Sequence, residues 1–215
     1  MLLVGRVISL LIGYAFGLIQ TGYFVGKIHK IDIRKHGSGN SGSTNALRTM
    51  GTKAGVITFI GDLLKAVAAV LLVNAVFGHH NSDLAMVFEL YAGFGVILGH
   101  DFPFYLDFKG GKGVASTLGI FLVIDWRIAL IPIIVFLVIT IFTKYVSLGS
   151  ITGMIIIAIE AFLFGSMGGL HVGNDHLFET YILIILIVIM ALIRHKSNMM
   201  RLLKGTESRI GEKIS

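Results

Sequence analysis

The chain has 215 residues, of which 55% are hydrophobic and 14% charged, with two prolines and no cysteine. A mean hydropathy of +0.86 and several apolar runs of bilayer-spanning length exclude a soluble globular protein and mark an all-α integral membrane protein, while the lack of cysteine excludes disulfides and thiolate chemistry. The formal charge of +6 reads as the positive-inside bias of such a protein, so no nucleic-acid partner is expected.

The first span is predicted over Leu2 to about Gly26. It carries Arg6, lacks a small-x-small cleavage site and so is not a signal peptide. Span two runs from about Lys53 to Phe77 and contains Asp62 and Lys65, one turn apart. They are expected to pair inside the bundle, because lone charges in hydrocarbon are costly. Span three, Leu84 to Gly99, contains Glu89. The apolar segment Val114 to Ile124 is too short for a full crossing and is read as a half-depth or strongly buried helix. Spans five to seven cover Arg127 to Thr143, Val146 to Phe164 (with Glu160) and Glu179 to Ile193. The expected architecture is therefore about seven transmembrane helices, one of them short, in a single polytopic domain over residues 1–215.

Four polar segments connect or follow these spans: 27–53, 100–113, 144–147 and 194–215. With seven elements all four fall on one face, together with fifteen of the eighteen Lys and Arg residues. The opposite face holds Asp83, Asp125, Asp175 and Glu179. That asymmetry puts the N-terminus outside and the C-terminus and the glycine-rich segments in the cytoplasm.

The stretch Gly37-Ser-Gly-Asn-Ser-Gly-Ser-Thr-Asn-Ala-Leu-Arg48 is almost wholly glycine and small hydrogen-bonding side chains. Gly37 and Gly39 permit the backbone geometry of an anion nest. Ser38, Asn40 and Asn45 add uncharged donors, and Arg48 adds a planar cation suited to phosphate oxygens. The match Gly37-x-Gly39-x-x-Gly42 is not a dinucleotide fingerprint, because no strand precedes it. The bland alternative is a flexible linker. In the second loop, Phe108-Lys109-Gly110-Gly111-Lys112-Gly113 places two lysines around paired glycines just before a helix start, where backbone donors favour anions. It is not a Walker A loop, since Gly113 follows Lys112. Lys109, beside the aromatic and the glycines, is expected to matter more than Lys112; the alternative is that both are ordinary flanking lysines. His100 is a candidate ligand or a structural cap. In the tail, His195, Asn198 and Arg201 would share one side of a helix continuing from span seven. A basic helix touching anionic lipid is the competing reading.

Taken together, these motifs closely resemble the acyl-phosphate glycerol-3-phosphate acyltransferases, the PlsY family. The resemblance rests on Gly37 to Asn45, on His100-x-Phe-Pro with Phe108 to Gly113, on Lys144-Tyr-Val-Ser147-Leu-Gly-Ser150, and on His195-x-x-Asn198-x-x-Arg201-Leu-Leu-Lys-Gly-Thr-Glu207. It spans essentially the whole chain. Where the family often has Gly-Ser-Ile-Pro late in the first span, this chain reads Gly17-Leu-Ile-Gln20. The resemblance implies an acyltransferase of bacterial phospholipid synthesis in the cytoplasmic membrane, using acyl phosphate and glycerol 3-phosphate, with no metal or coenzyme. It also implies catalytic roles for Ser38, Lys109 and His195. Phosphate binding would fall to Gly37, Gly39, Asn40, Asn45, Arg48, His100, Gly110, Gly111, Ser147 and Asn198. Membrane lipid is the only other partner expected, and the chain is compatible with a functional monomer. A thioester donor is disfavoured, because none of the eight histidines begins a His-x-x-x-x-Asp pair. The competing classes are a transporter for a phosphorylated metabolite, against which no inverted repeat is visible, and a non-catalytic headgroup binder.

Overall fold

The computed structural model describes residues 2–78 and 82–212. Lys213, counted above with the tail, and the end of the 194–215 segment lie outside them. Among the described residues the fold is all helical: α1 (Leu2–Gly17), α2 (Thr21–Ile28), α3 (Ser43–Met50), α4 (Thr52–Phe77), α5 (Ser82–Asp101), α6 (Val114–Ile124), α7 (Trp126–Thr143), α8 (Val146–Ser166), α9 (Leu177–Arg194) and α10 (Lys196–Leu203). Six helical stretches are long and apolar enough to cross a membrane. Many large apolar side chains on their outer faces, such as Leu3, Phe142, Phe178 and Leu186, are exposed as lipid-facing groups would be.

The central element is α5, whose Val87, Leu90, Ala92, Val96 and Ile97 are fully buried. It packs along α1 because α1 presents Gly5, Ser9, Gly13 and Gly17 at four-residue spacing on its buried face, the small-residue stripe that lets two membrane helices approach closely. A Cβ on Gly13 would overlap the carbonyl of Ala92, and one on Gly17 that of Val96. Helices α4, α6 and α9 close around α5, and α7 pairs with α8 on the far side of α6.

The first span is not one continuous helix. It breaks at Leu18–Gln20, where the expected run to Gly26 predicted no interruption. The carbonyls freed by the break are taken up from elsewhere: Lys65 Nζ donates to Gly17 O (3.3 Å) and Ile19 O (2.6 Å), and Tyr105 Oη to Leu18 O (2.6 Å). Lys65 also pairs with Asp62 at 3.0 Å, as their spacing predicts. Glu89 has a partner that local sequence could not supply, the side-chain amide of Asn74. Glu160 has none among the described residues.

Helix α6 spans only about 16 Å at 1.5 Å per residue. Because α7 starts beside Asp125 and returns to Lys144, α6 still connects the two ends of the bundle. The missing length is made up by the segment 102–113, whose last residues, Gly110, Gly111 and Gly113, are buried. A recess is left above the N-terminus of α6. The four polar segments meet around it: Asn40 reaches Gly110 O, Arg194 reaches Gly110 O and Gly111 O, Arg48 reaches Ser208 O, and Ile210 N–H reaches Lys144 O.

Candidate active site

The recess encloses about 840 Å³ of empty space, part of it open to solvent. Its charged and polar walls come from Arg48 on α3, Asp62 on α4, Lys112 before α6, Ser147 on α8, His195 and Asn198 at α10, and Glu207 in the tail. Gly113, Val114 and Ala115 also line it, so the N-terminus of α6 borders the cavity, and a helix N-terminus favours an anion.

The glycine-rich loop around residues 37–42 is built differently from an anion nest. Gly37 and Gly39 do adopt left-handed φ values of 58° and 71°. The loop, however, is wound around Asn45, whose Nδ2 donates to Ile33 O, His36 O and Asn40 O while Oδ1 accepts the Ser38 N–H. Asn45 is thus an organiser of the loop. Ser38, Asn40, Gly42, Ser43, Thr44, Asn45 and Arg48 all line the cavity. Arg48 donates through Nη2 to Ser208 O at 2.9 Å, and its Nε is buried without a partner among the described residues. Burial lowers its pKa, and a guanidinium stays charged regardless.

The second loop also departs from expectation. The N–H groups of Gly110 and Gly111 are bonded to Asp101 O (3.2 Å) and His100 O (3.0 Å), so they are not available to a ligand. The paired glycines are needed because the loop lies on His100: a side chain at either position would overlap the His100 carbonyl or ring. His100 itself is buried, with Nδ1 2.7 Å from Lys65 Nζ. Since Lys65 has only protons to offer, Nδ1 accepts and the ring proton sits on Nε2. His100 therefore supports the loop from below and lines the cavity floor.

The second loop sends its two lysines to different places. Positive φ at Asp107 (55°) and Phe108 (58°) turns Lys109 outward. Lys109 is exposed and borders only a second, outer recess, with Ser38, Gly39, Arg201 and Lys112 itself. Lys112 enters the main cavity and donates to Asn198 Oδ1. Burial lowers its pKa to about 8, against the raising effect of Glu207.

The tail does not continue α9 as one helix. The chain bends at His195, and α10 starts at Lys196. The bend still delivers His195 and Asn198 to the cavity, both buried. His195 Nδ1 lies 2.7 Å from Ala191 O, a carbonyl that can only accept, so the neutral ring carries its proton on Nδ1 and leaves Nε2 as an acceptor. Burial, followed by the nearby Lys112, lowers its pKa to about 4, so it is neutral at physiological pH. Arg201 turns to Glu207 (2.7 Å). Glu207, which sequence reasoning treated only as part of a motif, is the hub of the tail: it also accepts from Ser147 (2.7 Å) and Asn198 (2.7 Å). Burial alone would raise its pKa, but these three hydrogen bonds outweigh it and hold the carboxylate low.

Below the polar cavity, and sharing Phe59, Val114, Phe136 and Ser150 with it, lies a groove between α4, α6, α7 and α8. Its wall is apolar, with Leu118, Phe121, Pro132, Ile133, Met154 and Ile157, and Gly153 leaves it open. The arrangement joins an anion site to an apolar channel inside the membrane-spanning bundle.

A family profile described as glycerol-3-phosphate acyltransferase matches residues 7–205. The chain belongs to this family. It is 41% identical over 203 residues to a glycerol-3-phosphate acyltransferase of Alkaliphilus metalliredigens, covering 94% of each chain. It is also 41% identical over 212 residues to that of Clostridioides difficile, covering 96% of each. Among solved structures it resembles PlsY, an integral membrane glycerol 3-phosphate acyltransferase, in its glycerol 3-phosphate form, with TM-score 0.82 and 34% identity over 96% of both chains. The lysophosphatidic acid form of PlsY gives TM-score 0.81 at 33% identity. The chain is thus a multi-pass membrane acyltransferase of phospholipid biosynthesis.

Proposed function

We propose that this glycerol-3-phosphate acyltransferase takes its acyl group from acyl phosphate and delivers it to the 1-hydroxyl of sn-glycerol 3-phosphate, giving lysophosphatidate and inorganic phosphate. The observation that carries this reading is the continuity of the two chambers. Arg48, Lys112 and the N-terminus of α6 converge on a cavity whose wall opens, at Phe59, Val114, Phe136 and Ser150, into the apolar groove. An acyl phosphate fits that shape with its phosphate among the cations, its chain in the groove and its carbonyl at the junction.

In this reading Arg48 and Lys112 hold phosphate oxygens by charge-assisted hydrogen bonds, with Ser38, Asn198 and Ser147 in support. The unpartnered Nε of Arg48 is the donor such an oxygen would complete. His195, neutral and acceptor-bearing at Nε2, orients the acceptor molecule; Lys109 attracts anions from the rim. The hydroxyl oxygen attacks the acyl carbon, the bond from that carbon to the phosphate oxygen breaks, and the hydroxyl proton passes to the departing phosphate. Catalysis then consists of positioning and of electrostatic stabilisation of the developing negative charge. In this reading the loop end of the bundle faces the cytoplasm of a bacterial inner membrane, which the charge asymmetry supports, and one copy of the chain suffices for the site.

The test is purified protein with radiolabelled glycerol 3-phosphate and each donor in turn. Lysophosphatidate is expected from acyl phosphate and not from acyl-CoA or acyl carrier protein. Comparable yield from acyl-CoA would refute the donor assignment.

A further inference from the structure

The cavity is rich in donors, and most of its carboxylate, amide and imidazole acceptors are engaged within the protein. Asn40 Oδ1 accepts from Gly42 N–H, Asn45 Oδ1 from Ser38 N–H, and Asn198 Oδ1 from Lys112. Glu207 accepts from three side chains. A glycerol phosphate brings two hydroxyl protons besides its anionic end, and each loses free energy if buried without an acceptor. Two such acceptors on cavity-lining residues have no protein donor among the described residues: Nε2 of His195 and the second oxygen of Asp62.

Asp62 is 2% exposed and lines the cavity floor. Its Oδ1 accepts from Thr21 Oγ1 at 3.1 Å and lies 3.0 Å from Lys65 Nζ. Its backbone carbonyl accepts from Ser116 Oγ at 3.0 Å, which ties this turn of α4 to the start of α6. No protein donor among the described residues reaches Oδ2. Lys65 is accounted for by the carbonyls freed at the break in the first span, and Lys65 and Thr21 engage only one of the two oxygens of Asp62. Asp62 also lies one turn from Phe59, which lines both the cavity and the groove. It therefore stands at the junction where an acceptor hydroxyl would have to meet an acyl carbonyl.

We propose that Asp62 is a hydroxyl-binding residue of the acceptor site: its free carboxylate oxygen accepts a hydrogen bond from a hydroxyl of the glycerol phosphate, while Lys65 and Thr21 fix the carboxylate. The proposal rests on the acceptor assignment made above. It makes the floor of the cavity a selector for phosphate esters that carry an alcohol, distinct from the cations that recognise the phosphate itself.

The experiment compares binding of glycerol 3-phosphate and of n-propyl phosphate, which lacks both hydroxyls, to purified full-length protein. The wild type should prefer glycerol 3-phosphate by about tenfold or more, the range of one charge-assisted hydrogen bond. The double variant Asp62→Ala, Lys65→Met removes both partners and strands no charge. In it the preference should fall by about tenfold, with propyl phosphate affinity held within about threefold. An unchanged preference in the folded variant overturns the proposal. Should the variant not fold, the wild type decides with 1-deoxy-1-fluoro- and 2-deoxy-2-fluoroglycerol 3-phosphate, in which fluorine cannot donate. At least one should bind about tenfold more weakly, and full retention by both overturns the proposal. A wild type that binds neither phosphate ester contradicts the acceptor assignment itself.

Discussion

Replacing Lys112 by alanine should damage turnover far more than replacing Lys109. Lys112 projects into the main cavity, bonds Asn198 Oδ1 and lies near Glu207, so its charge is screened less than that of a surface lysine. Losing one charge-assisted contact to phosphate there costs about 1.5–3 kcal/mol, a fall in kcat/KM of roughly tenfold to 150-fold. The removal also leaves Asn198 Oδ1 without its donor and frees the amide to reorient, which adds to the loss. Lys109 is exposed outside that cavity, where a charge acts mainly on encounter, and its removal should change kcat/KM by less than about threefold at moderate salt. The assay is formation of radiolabelled lysophosphatidate in proteoliposomes at varied glycerol 3-phosphate, with thermal unfolding to confirm that both variants fold. A larger loss for Lys109→Ala, or equal losses, would refute the placement of the phosphate in the cavity.

Activity should also fall as pH rises through about 8, because the burial-lowered Lys112 loses its proton there; Lys112→Arg, which keeps its charge, should move that limb out of range, and an unmoved limb would assign it elsewhere. Gly153→Leu should cut activity on long-chain acyl phosphates by about tenfold or more while sparing short ones. Gly153 lines the groove, and an added Cβ there meets only ordinary contacts at 3.5 Å to Pro132 O, so the side chain projects into the channel instead of breaking the helix pair. A donor series of graded length reads this out, and a length profile like that of the wild type would remove the groove from the site. Single cysteines at Asn40 and Thr206 should both label from the cytoplasmic side only; outside labelling of either would invert the topology.

The spans were legible because lipid-facing helices need long apolar runs, and the short α6 was legible by its length. The break after Gly17 was not. Gly17-Leu-Ile-Gln20 carries no proline, and the interruption is held by partners remote in sequence, Lys65, Tyr105 and the carbonyls of α5 bonded by Gln20. The gathering of glycine-rich and basic segments was readable from the sequence, but not which lysine would enter the cavity. Lys109 and Lys112 flank the same glycines, and the choice is made by left-handed turns at Asp107 and Phe108 and by the bonding of the glycine N–H groups to α5. Asn45 looked like one more loop donor, yet its four hydrogen bonds all return to its own loop. Glu207 could not be read as a hub because one partner, Ser147, lies 60 residues away on another helix. Asp62 and Lys65 could be paired from helical spacing, but their place beneath the cavity follows from how α4 packs on α6.

The central claim is that one site couples acyl phosphate cleavage to acylation of glycerol 3-phosphate. Its most direct test is a stoichiometry measurement on purified, folded protein in lipid, following inorganic phosphate and lysophosphatidate together. The account expects no phosphate release from acyl phosphate alone, and one lysophosphatidate for each phosphate once glycerol 3-phosphate is added. Phosphate released without glycerol 3-phosphate at the same rate, or no product from acyl phosphate at all, would contradict it.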